Sequence, residues 1–353
     1  MKEQLSIEEI SRRTGLEESL LRFYESEYPE ALPEKILQGD HFVFGSGAEE
    51  AFLGIHHSHS QKTTSLKQSN KQKRYARVLA VTSGKGGVGK TNIVLNLAIE
   101  LQRLGKMCVV LDADMGLANL HLLAGLMPKH DIMDVVEGRL PLSQIIMEGP
   151  EGIGLVPGGS GTLALADAGK IERHKIISAL EEIEGQADII LVDTGAGMGA
   201  GVRDFLASAD ELLFVLTPDI TSLTDAYGLL KTLHQENLAQ RPLYSIVNMV
   251  ETLRQAADVA QRFSLCARQF LGRQVESLGY LLKDSSVGAA IARRVPYAVF
   301  NPNSRISKNT RNLAISLMKK EQPELRLSSA FGRYRNLLRS NAIAKKHLAD
   351  QGR

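Results

Sequence analysis

The stretch Ser83-Gly84-Lys85-Gly86-Gly87-Val88-Gly89-Lys90-Thr91 constrains this chain more than any other. It fits the spacing G-x-x-x-x-G-K-[ST] with Gly84, Gly89, Lys90 and Thr91 in the fixed places. Glycines at this spacing let successive backbone N–H groups turn inward around a polyphosphate. Lys90 brings a point charge to the outer phosphate oxygens, and the Thr91 hydroxyl is a ligand for Mg²⁺. The flanks agree with that use. Residues 77–82 form a short β-rich apolar run, and Ile93, Val94, Leu97, Ala98, Leu101 and Leu104 recur at helical spacing, so strand, loop and helix follow in order. The N-terminus of that helix points at the anion.

From residue 77 onward, apolar runs alternate with helical periods. Strands are expected near 78–82, 107–111, 154–156, 189–192, 212–216, 243–247 and 279–282, and helices near 92–104, 170–182, 221–237, 253–270 and 304–320. This alternation predicts an α/β fold, a doubly wound and mostly parallel sheet with its site at the carboxyl ends of the strands. Two of those ends carry acids. Val109-Val110-Leu111 runs into Asp112-Ala113-Asp114, and Ile189-Ile190-Leu191-Val192 runs into Asp193, the place where a carboxylate holds Mg²⁺ beside a phosphate loop.

Lys85 at the start of the loop, followed by Gly86-Gly87-Val88-Gly89-Lys90-Thr91, resembles the deviant Walker A loop of the ParA/MinD ATPases, and Asp112–Leu120 resembles their switch I. Residues 155–161, 217–227 and 247–250 are similar, more narrowly, to the flagellar number regulators FlhG and FleN; the resemblance covers about 77–320. It implies an ATPase whose ATP-bound form is a face-to-face homodimer. Lys85 reaches the partner's phosphates, Lys90 holds the β- and γ-phosphates, Thr91 and Asp193 hold Mg²⁺, Asp114 orients or deprotonates the attacking water, and Asn248 reads adenine. The implied use is control of the number or placement of flagella, through a flagellar or other regulatory protein partner. A glutamine-containing activating motif often precedes the ATPase in such regulators; other sequence occupies that place here, so the resemblance does not extend to activation by the partner GTPase.

The 353 residues are too long for one ordinary domain, and charge divides them. Residues 1–62 hold 6 basic and 12 acidic residues, net −6, whereas 319–353 hold 9 basic and 3 acidic, net +6. Residues 6–25 read as helix, glycine turn and helix, and with Phe42-Val43-Phe44 and Ala48–Leu53 they resemble the winged helix-turn-helix of MerR-type regulators, in which Arg22 would meet a DNA phosphate. Glu17 and Glu18 at the opening of the second helix oppose DNA, so a module for protein contacts stands beside a nucleotide-regulated DNA-binding or partition regulator. His56, His57 and His59 lack metal-ligand spacing. The expected organisation is a helix-turn-helix module at 1–60, a basic flexible linker at 61–76, the ATPase domain at 77–321 and a basic tail at 322–353.

In the tail, Phe331, Tyr334 and Leu338 share one helical face among arginines. That is the pattern of an amphipathic helix for an anionic membrane surface, and equally of one that packs on a core. The opening Met1-Lys2-Glu3-Gln4 is charged and no apolar run nears 18 residues, so neither a signal peptide nor a spanning helix is expected. Cys108 and Cys266 lie in apolar or helical stretches, which suits free thiols in the cytoplasm.

Overall fold

The computed structural model describes residues 5–16, 18–27, 29–38, 41–55, 75–114, 119–159, 170–197, 199–320 and 328–336. The histidines at 56, 57 and 59, the linker at 61–74, Glu17 and residues 337–353 lie outside them. The chain divides into two compact units, Met1–Asn70 with Arg103–Gly105, and Lys71–Gln102 with Lys106–Arg353.

In the first unit, Ser6 accepts from the Glu9 N–H while the Glu9 carboxylate accepts from the Ser6 N–H, a reciprocal cap that starts α1 (Ile7–Thr14). Gly15, at φ 72°, ends α1 in the left-handed region before α2 (Glu18–Glu27) begins. An antiparallel pair follows, β1 (Lys35–Gln38) and β2 (His41–Phe44), and then α3 (48–55). Ile10, Leu21, Tyr24, Phe44 and Phe52 are each buried, with the Phe44 and Phe52 rings edge to face at 5.4 Å.

The second unit is built on an eight-stranded sheet. Its strands are β3 (Arg77–Thr82), β4 (Cys108–Ala113), β5 (Met147–Glu148), β6 (Gly154–Val156), β7 (Ile189–Thr194), β8 (Glu211–Leu216), β9 (Leu243–Val250) and β10 (Glu276–Leu282), in the spatial order β10-β9-β8-β3-β7-β4-β6-β5. All neighbours are parallel except β5, which pairs antiparallel with β6. The runs β3, β4, β7 and β8 are buried along their whole length, as strands covered on both faces must be. The long helices α4 (Lys90–Arg103), α8 (Lys170–Ile183), α10 (Ile220–Gln235), α11 (Leu253–Leu271) and α14 (Arg305–Met318) fall where periodicity puts them. Helices α5 (Leu120–Leu123), α6 (Ile132–Val136), α7 (Leu142–Ile145), α9 (Ala200–Ser208), α12 (Ser285–Arg293) and α13 (Tyr297–Phe300) were not expected, and most are too short to show a period.

The described part of the tail follows the core-packed course, one of the two its sequence allowed. Residues 330–336 form α15, and its apolar face is not offered to lipid: Phe331 and Tyr334 are 0% and 8% exposed and join the main core with Ala330. Polar groups lock the docking. Glu184, after the end of α8, accepts from the Ala330 N–H at 2.7 Å and from the Ser329 hydroxyl, and so caps α15. The Tyr334 hydroxyl donates to Asp204 at 2.8 Å. Arg333 pairs with Asp210, whose other oxygen accepts from the Val78 N–H at 2.9 Å. Leu338, the third member of the predicted face, is outside the described residues.

Two outcomes follow from this docking. Phe331→Ala should lower the unfolding free energy by about 3–5 kcal/mol, read from urea denaturation. Burial pushes the Glu184 carboxyl up to about 7, against the pull of Ser329 and the backbone amides. A carboxyl raised on folding stabilises while protonated, so its contribution is full below about 4.5 and is lost as pH rises through about 7. Between pH 5 and pH 8 the melting temperature of the parent should therefore fall further than that of Glu184→Gln.

Candidate functional site

Because β3 lies between β8 and β7, the loop that follows it hangs over the carboxyl edge of the sheet beside the ends of β7 and β4. Two glycines are obligatory there. A Cβ on Gly84 would stand 2.1 Å from the carbonyl carbon of Asp225, and Gly89 has φ 91° with Asn248 Nδ2 at 2.6 Å from any Cβ. The loop delivers its amides to the start of α4, a long helix whose N-terminus faces the same space. That space is a cavity of about 990 Å³ whose lining includes Gly86, Gly87, Gly89, Lys90 and Thr91 of the loop and helix start, Asp114, and Asn248, Val287 and Arg294. Every residue expected of the site except Gly84, Lys85, Val88 and Asp193 lines this cavity directly.

The two lysines of the loop are treated differently. Lys90 is buried, its Nζ donates to Ser83 Oγ at 3.0 Å, and burial holds its pKa below the usual lysine value despite the nearby Asp193 and Asp114. Lys85 is half-exposed, and its Nζ donates to Asp219 Oδ2 at 2.5 Å and Thr221 Oγ1 at 2.8 Å. Asp219 also accepts from the Thr221 N–H as the N-cap of α10, and the Lys85 bond foremost draws its pKa down to about 2. Sequence reasoning gave Asp219 and Thr221 no role; they stand 134 and 136 positions from their partner.

Three carboxylates converge from β4 and β7. Asp112 and Asp193 are register partners on adjacent strands. Asp193 is 1% exposed, and neither of its oxygens has a hydrogen-bond partner among the described residues. Burial pushes it up to about 7, with the Thr91 hydroxyl and Lys90 pulling back. A buried pair of orphaned carboxylate oxygens next to Thr91 suits a hard cation with oxygen ligands, so the residues present fit Mg²⁺. Asp112 rises to about 8, through burial and then the neighbouring Asp193. Asp114 lies on the cavity side, its Oδ1 3.3 Å from the place of a Cβ on Gly195.

Asn248, 6% exposed at the end of β9, donates through Nδ2 to the Val88 carbonyl at 2.8 Å. A carbonyl only accepts, so the amide has one orientation, with Oδ1 as its remaining acceptor. Asn248→Asp sets a carboxylate against that carbonyl. Affinity for ATP should fall about tenfold or more in titrations with a fluorescent ATP analogue; unchanged affinity would remove Asn248 from the cradle.

A family profile described as "AAA domain" matches residues 76–245. The antiactivator FleN of Pseudomonas aeruginosa is 38% identical over 232 residues, which cover 65% of this chain and 82% of that protein. The flagellum site-determining protein YlxH of Helicobacter pylori is 33% identical, with 73% of this chain and 89% of YlxH covered. Among solved structures, the septum site-determining protein MinD complexed with Mg-ADP from Pyrococcus horikoshii is 25% identical with a TM-score of 0.58, covering 68% of this chain and 94% of that one. Together with a phosphate loop beside two acid-bearing strand ends, these likenesses identify the chain as an ATP-binding member of the ParA/MinD family and an ATPase.

Proposed function

We propose that the chain is a dimerising ATPase switch that controls the number or placement of flagella. The observation that carries the reading is Lys85: a lysine of the phosphate loop whose amine is held at the surface by Asp219 and Thr221. Such a cation is available to a second copy's phosphates. The names of the relatives, an antiactivator and a flagellum site-determining protein, support the flagellar use.

In this reading Gly84, Gly86, Gly87, Val88 and Gly89 wrap the triphosphate with backbone amides, and Lys90 binds its β- and γ-oxygens. Thr91 and Asp193 are the residues that would hold Mg²⁺, and charge neutralisation at the phosphate oxygens is what that ion supplies when bound. Asp114 orients the water that attacks the γ-phosphorus and takes up its proton as the bond to the β-γ bridging oxygen breaks. Positioning and charge account for the rate, as in other phosphoryl transfers to water. Asn248 accepts from the adenine amino group through Oδ1.

A second reading, a nucleotide-regulated DNA-binding or partition regulator, draws on the helix, turn, helix and hairpin order of residues 7–44. The net charge of −6 over residues 1–62 favours protein contacts for that unit instead.

One experiment separates the readings. The mass of Asp114→Ala in solution is measured with ADP and with Mg·ATP, each with and without random-sequence duplex DNA. The switch predicts a monomer with ADP, a long-lived dimer with Mg·ATP and little turnover. DNA binding by that dimer would favour the second reading, and a monomer throughout would overturn both.

A further inference from the structure

Asp112 has no task in the reading above. It sits at the end of β4, 3% exposed, and its two oxygens serve two different backbone amides. Oδ1 accepts from the Asp114 N–H at 3.3 Å and Oδ2 from the Leu120 N–H at 3.1 Å. These donors flank residues 115–118. One planar group thus fixes both the residue that carries the water-orienting carboxylate and the first residue of α5, itself 1% exposed.

The chemistry of the two donors explains why a carboxylate stands here. Both are N–H groups, so both oxygens must accept, and a carboxyl group keeps an acceptor lone pair on each of its two oxygens, ionised or not, whereas an amide has only one oxygen. Asparagine would keep one and turn an NH₂ group toward the other N–H. Its register partner Asp193 is a buried acid, so charge at this position is costly, and a neutral side chain would avoid that cost. The two tethers are what the carboxylate gives in return. Gly195 lies beside Asp114, whose Oδ1 stands 3.3 Å from the place a Cβ would take there.

We infer that Asp112 is a positioning residue for hydrolysis: it tethers the Asp114 and Leu120 amides, sets Asp114 for its task, and touches no reacting atom. The inference rests on the role proposed for Asp114. A displacement of about 1 Å in such a group costs about a hundredfold in rate, so loss of a tether should appear in turnover rather than in nucleotide affinity.

The test uses the full chain as parent, Asp112→Asn, Asp112→Ala, Asp114→Ala and the double variant Asp112→Asn/Asp114→Ala. Steady-state turnover of Mg·ATP, the Kd for ATP and amide hydrogen exchange without nucleotide are measured, with the β3 amides reporting on the intact sheet. In Asp112→Asn the Asp114 and Leu120 amides should exchange about tenfold faster, kcat should fall about tenfold or more, and Kd should stay within about threefold. Asp112→Ala, which removes both acceptors without setting an NH₂ group against an amide, should behave alike. Added to Asp114→Ala, Asp112→Asn should lower turnover no further, because the two act as one unit. Parent exchange at the two amides, or losses that multiply in the double variant, would overturn the inference. Full turnover by Asp112→Asn beside an inactive Asp114→Ala overturns the role of Asp112 alone. Full turnover by Asp114→Ala overturns the role of Asp114 and, with it, the route proposed for Asp112.

Discussion

Negative charge buried at the carboxyl edge of the sheet is the constraint on which this structure depends. Asp112 and Asp193 meet across β4 and β7 with Lys90 as the buried cation near them, and burial pushes each toward its neutral form. Such an edge is electrostatically incomplete by itself. It exists because the four central strands are buried along their whole length and largely apolar before their carboxyl ends, so the cost at the edge is borne by a large core beneath it. A site so poised gains more from a metal-bound polyphosphate than a solvated one would, since every charge it meets acts in a low dielectric.

The contrast between Lys85 and Lys90 extends this logic. One is buried within the loop, where Ser83 holds it. The other rests on an exposed acid at a helix start, where water competes and exchange of partners costs little. The same loop therefore carries one buried lysine and one held at the surface.

Much of this was legible in the sequence. The phosphate loop and both acid-bearing strand ends declare themselves through fixed spacing and unbroken apolar runs, and helices of 14 residues or more show their period. The rest was hidden for physical reasons. A four-residue helix such as Leu120–Leu123 spans about one turn and has no face to repeat. The partners of Lys85 and the tethers of Asp112 arise from chain folded back in space, which spacing does not encode. In the tail, Phe331 and Tyr334 mark an apolar stripe correctly, yet a stripe says only that it must be covered. Its cover proved to be protein.

That cover also joins two distant parts of the second unit. Asp210 holds the Val78 amide at the start of the central strand with one oxygen and the Arg333 guanidinium with the other. The first strand of the sheet and the last described helix are thus fastened to one buried acid. A chain shortened after Lys320 would keep that acid but lose its guanidinium partner, and would leave Glu184 buried beneath an open patch of core. Trimming this protein at its basic end is thereby a change to its interior, and load applied to the chain beyond residue 336 is passed directly to the strand that carries the phosphate loop.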